Sequence, residues 1–120
     1  EDYLRDVVRH MLEALGHEVA TVADGEAALA AVERSQAQGR AFDLWLLDLT
    51  IPGEPGGAAV LSRLREVDAT TPAVASSGYS GDPVMCDPRA HGFAGGITKP
   101  YTMVELEQAV ALALGNGENR

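Results

Sequence analysis

Asp43-Leu44-Trp45-Leu46-Leu47-Asp48 is a short apolar run bounded by two acids, and Leu49-Thr50-Ile51-Pro52-Gly53 follows at once. A stretch this short and this apolar reads as a strand buried on both faces, the pattern of a parallel sheet. Asp48 then emerges at the carboxyl edge of the sheet beside a loop, which is where open α/β sheets gather their chemistry. Two other apolar stretches end in groups that such chemistry uses: a hydroxyl in Ala75-Ser76-Ser77-Gly78 and a cation in Ile97-Thr98-Lys99-Pro100.

Outward from that strand the pattern alternates. Leu4, Val7, Val8, Met11, Leu12 and Leu15 recur at helical spacing and Gly16 supplies a C-terminal cap, so residues 3–15 are expected as helix. Val19 to Val22 reads as a short strand. Asp24-Gly25 is placed to cap a second helix, with Ala27, Ala28, Leu29, Ala31 and Val32 on one face, which Gln38-Gly39 ends. After the strand closing at Asp48 come a loop rich in proline and glycine (Pro52, Gly53, Pro55, Gly56, Gly57), a helix over 58–67 and a strand over 73–77. Residues 83–91 form a helix interrupted by Pro88. Phe93 to Thr98 is a thin, glycine-rich strand. Met103, Leu106, Val110 and Leu114 mark a closing helix that Gly115 ends, before a polar tail over 116–120. Such alternation implies a doubly wound parallel sheet with helices on both faces. It opens on a helix, so a further strand is expected ahead of it, cut away or lying upstream, and the domain spans 1–115.

Composition narrows the function. At 120 residues the chain is one domain with enough material for a real core. A hydrophobic fraction of 46% against 22% charged residues excludes a disordered chain. No apolar run approaches the roughly 20 residues that cross a bilayer, and no signal peptide opens the sequence, so neither membrane nor export is expected. A net charge of -9 argues against nucleic acid, whose phosphates call for a basic face. The single cysteine, Cys86, excludes an internal disulfide and suits a reducing cytoplasm. His10, His17 and His91 lack metal-ligand spacing, and the glycines around Gly53 and Gly57 lack that of a nucleotide-binding loop. Trp45 is expected to pack in the core or against a helix, and Asp43 to be a loop residue.

Taken together, Gly16-His17-Glu18-Val19, Ala23-Asp24-Gly25-Glu26-Ala27-Ala28-Leu29, the Asp43 to Gly53 segment, Ser76-Ser77-Gly78-Tyr79-Ser80 and Lys99-Pro100-Tyr101 resemble the receiver domains of two-component signalling, most of all those attached to hybrid sensor histidine kinases. The blocks stand in family order and cover essentially the whole chain. The resemblance implies a flavodoxin-like α/β fold. It also implies a phosphorelay switch, in which Asp48 accepts a phosphoryl group from a histidine kinase or a histidine phosphotransfer domain, with slow self-catalysed hydrolysis rather than stand-alone enzyme activity. By position Ser77 matches the hydroxyl that binds and reports the phosphoryl group. Lys99 matches the lysine that pairs with the aspartate, and its bond to Pro100 is expected to be cis.

Mg²⁺ is the cofactor the resemblance implies, held by Asp48 and the backbone carbonyl of Thr50. The family also uses an acidic pair at the end of its first strand. Arg5 matches an arginine of the family's first helix, which places that pair ahead of residue 1 and leaves Glu1 as the alternative ligand. The aromatic that moves with the hydroxyl in the family is Gly96 here, and Tyr101 is not its equivalent. Loss of that residue and of the acidic pair would suit a second reading, a phosphorylation-independent pseudo-receiver acting as an interaction module. Self-association is compatible with either.

The chemistry behind the first reading is general. A carboxylate forms a mixed anhydride with phosphate when the donor is held in line and the charge is neutralised. Lys99 is a point charge for that purpose, and Mg²⁺ prefers hard oxygen ligands.

Overall fold

The structure is a computed structural model and describes residues 2–22, 25–49, 57–78 and 83–115. In chain order the elements are α1 (Asp2–Ala14), α2 (Gly25–Ala37), β1 (Trp45–Asp48), α3 (Gly57–Arg65), β2 (Ala73–Ser77), α4 (Pro83–Cys86), a 3-10 turn (Pro88–His91), β3 (Gly95–Thr98) and α5 (Met103–Ala113). The strands lie in the order β1-β2-β3, all parallel. Trp45 to Asp48 pair in sequence with Ala73 to Ser76, and Val74 to Ser77 with Gly95 to Thr98. This is the parallel α/β arrangement expected from the sequence.

The sheet divides the interior. On one side Trp45 and Leu49 with Ala73 and Ala75 meet Val32 of α2 and Val60, Leu61 and Leu64 of α3, joined by Val84 and Phe93. On the other, Val74 and Ile97 meet Leu106 and Val110 of α5, with Met11 and Leu12 of α1 packed against them. Strand alternation explains the split: odd positions of β1 and β2 face α2 and α3, even positions face α1 and α5. All five residues of β2 are buried, as befits the middle strand. Leu64 and Leu106 are almost fully buried, and side chains of that size contribute about 2–3 kcal/mol each on leaving water.

Local signals end the elements. Gly16 takes φ +99°, and His17 N–H donates to Leu12 O at 3.0 Å, closing α1 as the capping glycine predicts. Thr102 caps α5: its hydroxyl accepts from Glu105 N–H at 3.1 Å, while Glu105 Oε1 accepts from Thr102 N–H at 2.9 Å. Pro88 splits the helix expected over 83–91 into α4 and the 3-10 turn, because proline supplies no N–H to continue it. Gly92 then turns the chain at φ +91°, and Ala94 N–H donates to Ala73 O at 2.7 Å as the path enters β3.

One expected strand is absent: residues 19–22 belong to no sheet, which corrects the sequence reading. They line a cleft of about 1010 Å³ together with Leu44 and Leu46. A strand exists only through a hydrogen-bonded neighbour about 4.8 Å away, and this segment has none among the described residues. The last strand is also shorter than expected, because Phe93 turns into the core before pairing begins. Asp24 as a cap, the loop glycines and prolines up to Gly56, Tyr79, Ser80 and the tail over 116–120 lie outside the described residues.

Candidate functional site

Asp48 is the last residue of β1. Leu49 N–H donates to Ser76 O at 2.8 Å, which fixes the final rung of the ladder beside it. Lys99 follows β3 directly, and its N–H donates to Ser77 O at 2.8 Å, continuing the ladder by one residue past the strand. Two strand ends separated by β2 are thus brought to one rim. There the Lys99 ammonium donates to Asp48 Oδ2 at 2.5 Å, with the side chains 22% and 27% exposed respectively. The Lys99–Pro100 peptide bond is cis.

Ser77 closes β2 at the same rim and is completely buried. Alternation sends it, with Ala73 and Ala75, to the α3 side of the sheet, while Asp48 and Lys99 belong to the α1 and α5 side. Glu1 and Thr50 lie outside the described residues. Among the described residues no group of three histidines, cysteines, aspartates or glutamates is placed to hold a metal. Asp48 is the hard oxygen donor the described rim offers a divalent cation, and carboxylate is the ligand type that Mg²⁺ accepts.

Two residues that the sequence motifs contain but to which sequence reasoning gave no role at the site lie beside it. Ser76 is the register partner of Asp48 and is 3% exposed. Tyr101 packs in the α5 half of the core, and its phenol is hydrogen-bonded with the Ser76 hydroxyl. Burial holds that phenol above its ordinary pKa, with the Ser76 bond opposing and the negative charge of Asp48 adding to the rise, so it is neutral near pH 7. Asp48, Ser76, Lys99 and Tyr101 all line the cleft beside β1. The signal available in the sequence was parity: Ser76, like Asp48, sits at an even position on its strand, but pairing register is needed to turn that into proximity.

At Gly96 an added Cβ would stand 3.2 Å from Met85 Sδ and Cε and 3.2 Å from Pro88 Cγ. The place where a larger side chain would begin is therefore taken by α4 and the 3-10 turn. Trp45 is 6% exposed, with the Arg65 guanidinium 5.1 Å from its ring centroid, so it packs in the core beside α3 as expected. Asp43 is exposed in the loop before β1, and Cys86 is an exposed free thiol.

The family model of the response regulator receiver domain matches residues 1–111. No curated protein matches the chain. Among solved structures the chain is similar to the receiver domain of NtrX from Brucella abortus, with 29% identity, TM-score 0.83, and coverage of 98% of this chain and 94% of that one. It is similar also to the chemotaxis protein CheY4 of Vibrio cholerae, with 26% identity, TM-score 0.79, and coverage of 94% and 91%. A third is the receiver domain of sensor histidine kinase PA1611 from Pseudomonas aeruginosa PAO1, with 23% identity, TM-score 0.80, and coverage of 96% and 91%; that structure carries a magnesium ion coordinated in its active-site cleft. At that identity the last likeness speaks to the fold alone.

Proposed function

We propose a phosphoryl-accepting switch of a two-component phosphorelay, and the premise is that this chain belongs to the response regulator receiver domain family. The observation that carries the reading is the Lys99–Asp48 pair at the carboxyl rim of the parallel sheet. A carboxylate oxygen of Asp48 attacks the phosphorus of a phosphohistidine on a histidine kinase or phosphotransfer domain. The P–N bond breaks, its electron pair returns to the imidazole, which takes up a proton, and an acyl phosphate remains on Asp48. Water later attacks the phosphorus of that anhydride, the P–O bond to Asp48 breaks, inorganic phosphate leaves and the carboxylate is restored. Lys99, already beside Asp48, offsets the added negative charge, and Ser77 at the neighbouring strand end is the hydroxyl that responds to it.

In this reading Asp48 and the Thr50 carbonyl would hold Mg²⁺, with Glu1 as the alternative acidic ligand to a pair ahead of residue 1, and the ion would supply further charge neutralisation when bound. Attachment to a hybrid sensor histidine kinase and a cytoplasmic setting belong to the same proposal. So does self-association, which is supported by Val104 and Leu112, left 60% and 75% exposed on α5.

Incubation with Mg²⁺ and acetyl phosphate, followed by intact mass measurement, tests the switch. A gain of one phosphoryl group that disappears in Asp48→Asn supports it. Gly96, with Met85 and Pro88 against it, favours the second reading, a pseudo-receiver that binds partners without phosphorylation. No gain of mass in a folded protein that still binds its partner selects that alternative.

A further inference from the structure

On the switch reading above, we propose that Met85 is an autoinhibitory latch: seated on Gly96, it pins α4 and the 3-10 turn to β3 and keeps them from following events at the Asp48 rim. A methionine from α4 thus stands where β3 itself has no side chain to offer.

α4 is a single turn, Pro83–Cys86, and a helix that short has no stability of its own. Its place is set by the side chains it lays on the sheet. Val84 is 9% exposed and joins Leu61 and Phe93 in the core on the α3 side. Met85, half-buried, reaches β3, where a Cβ on Gly96 would stand 3.2 Å from its Sδ and Cε and 3.2 Å from Pro88 Cγ. Any side chain at 96 would crowd both, so glycine leaves a seat that the thioether and the proline ring fill. The seat is particular to that position: a Cβ on Gly95 would meet nothing within 4 Å among the described residues. Beyond α4 the chain is bonded to itself, Ala90 N–H donating to Asp87 O at 3.1 Å and Phe93 N–H to Pro88 O at 3.0 Å, so the 3-10 turn travels with the helix.

β3 is a firm anchor. Gly96 pairs in register with Ala75 and Thr98 with Ser77, and Lys99 N–H donates to Ser77 O at 2.8 Å. α4 is the next described element after β2, so a pull on Ser77 at the rim reaches it along the chain. It cannot shift without lifting Met85 and Pro88 off Gly96, and close-packed contacts of that kind yield in discrete steps rather than gradually. Shortening Met85 to alanine empties the seat. Leucine, of nearly the same volume, keeps it filled.

Hydrogen exchange read by mass spectrometry on the full chain tests this, comparing wild type, Met85→Leu, Met85→Ala and Gly96→Val, with and without beryllofluoride and Mg²⁺ as the phosphoryl mimic. Without the mimic, Met85→Ala and Gly96→Val should each raise exchange of the amides over 84–92 about tenfold, with β1, β2 and α5 unchanged and Met85→Leu within about twofold of wild type. With it, wild type and Met85→Leu should stay as they were over 84–92, and the two unlatched variants should change again. Bound fluoride, read by ¹⁹F NMR, reports occupancy of the rim in every variant. A wild-type pattern in both unlatched variants, or a rise spread over the whole chain as ordinary loss of stability predicts, overturns the latch. A wild type that answers bound beryllofluoride over 84–92 as strongly as Met85→Ala overturns the restraint and leaves the switch intact. If no variant binds fluoride the switch reading fails, and exchange without the mimic alone decides the latch: an unraised signal over 84–92 overturns it.

Discussion

Consider the double-mutant cycle formed by Lys99→Met, Asp48→Asn and their combination. The ammonium and carboxylate meet at 2.5 Å while each keeps about a quarter of its exposure. A solvated surface pair contributes about 0–1 kcal/mol, whereas stripping one partner from a fully buried pair costs about 3–5 kcal/mol. This pair lies between those limits and nearer the first, because water still reaches both groups. We expect a coupling energy of about 1.5 kcal/mol, equivalent to about 6 °C in Tm for a domain of this size. Urea unfolding at pH 7 and low salt measures it, and added salt should shrink it. Because the cycle cancels whatever else each side chain touches, it isolates the pair itself. A coupling below about 0.3 kcal/mol would show that the contact is incidental and would remove the physical basis for giving Lys99 a role in charge neutralisation. In the kinetic arm, Lys99→Met should slow phosphoryl acceptance about a hundredfold, the usual consequence of deleting one preorganised electrostatic partner.

Asp68 accepts from Thr70 N–H and Thr71 N–H at 3.0 Å each and from the Thr71 hydroxyl at 2.7 Å; burial raises its pKa, but those bonds outweigh burial and leave it below the ordinary value. Its contribution is therefore present above the unfolded pKa near 3.9 and lost as pH falls through the lower folded value. Asp68→Asn should lose about 0.5 kcal/mol at pH 7 after allowance for solvent screening, and the deficit should fade in urea titrations as pH falls below the unfolded pKa near 3.9. Gly96→Phe should destabilise by about 1–2 kcal/mol through overpacking against Met85 and Pro88, and Met85→Ala in the same chain should recover at least half of that in equilibrium unfolding. Thr102→Ala breaks both bonds of the capping box and should cost about 1 kcal/mol, seen as a Tm lower by about 4 °C in circular dichroism.

What was legible in the sequence was local or strictly periodic. The apolar run ending at Asp48, the cap at Gly16 and the closing helix from Met103 each carry their instruction within a few residues, and each appears where expected. Pro88 announced a break in the pattern, and the break is there. The segment from Val19 to Val22 failed because its β-branched residues state a preference, while a strand also needs a neighbour that no local pattern supplies. The meeting of Asp48 with Lys99 followed from strand ends sharing a rim, so topology sufficed. Ser76 and Tyr101 were missed because their proximity depends on register and on which side of the pleat each residue takes.

The wall that β2 forms between the two half-cores has a practical side. Its adjacent serines look into different compartments, Ser76 toward α5 and Ser77 toward α3, from a single strand end one strand away from Asp48. The two serines of one strand end are thus set against separately packed half-cores. Repacking a single compartment would change the surroundings of one serine and leave those of the other as they are.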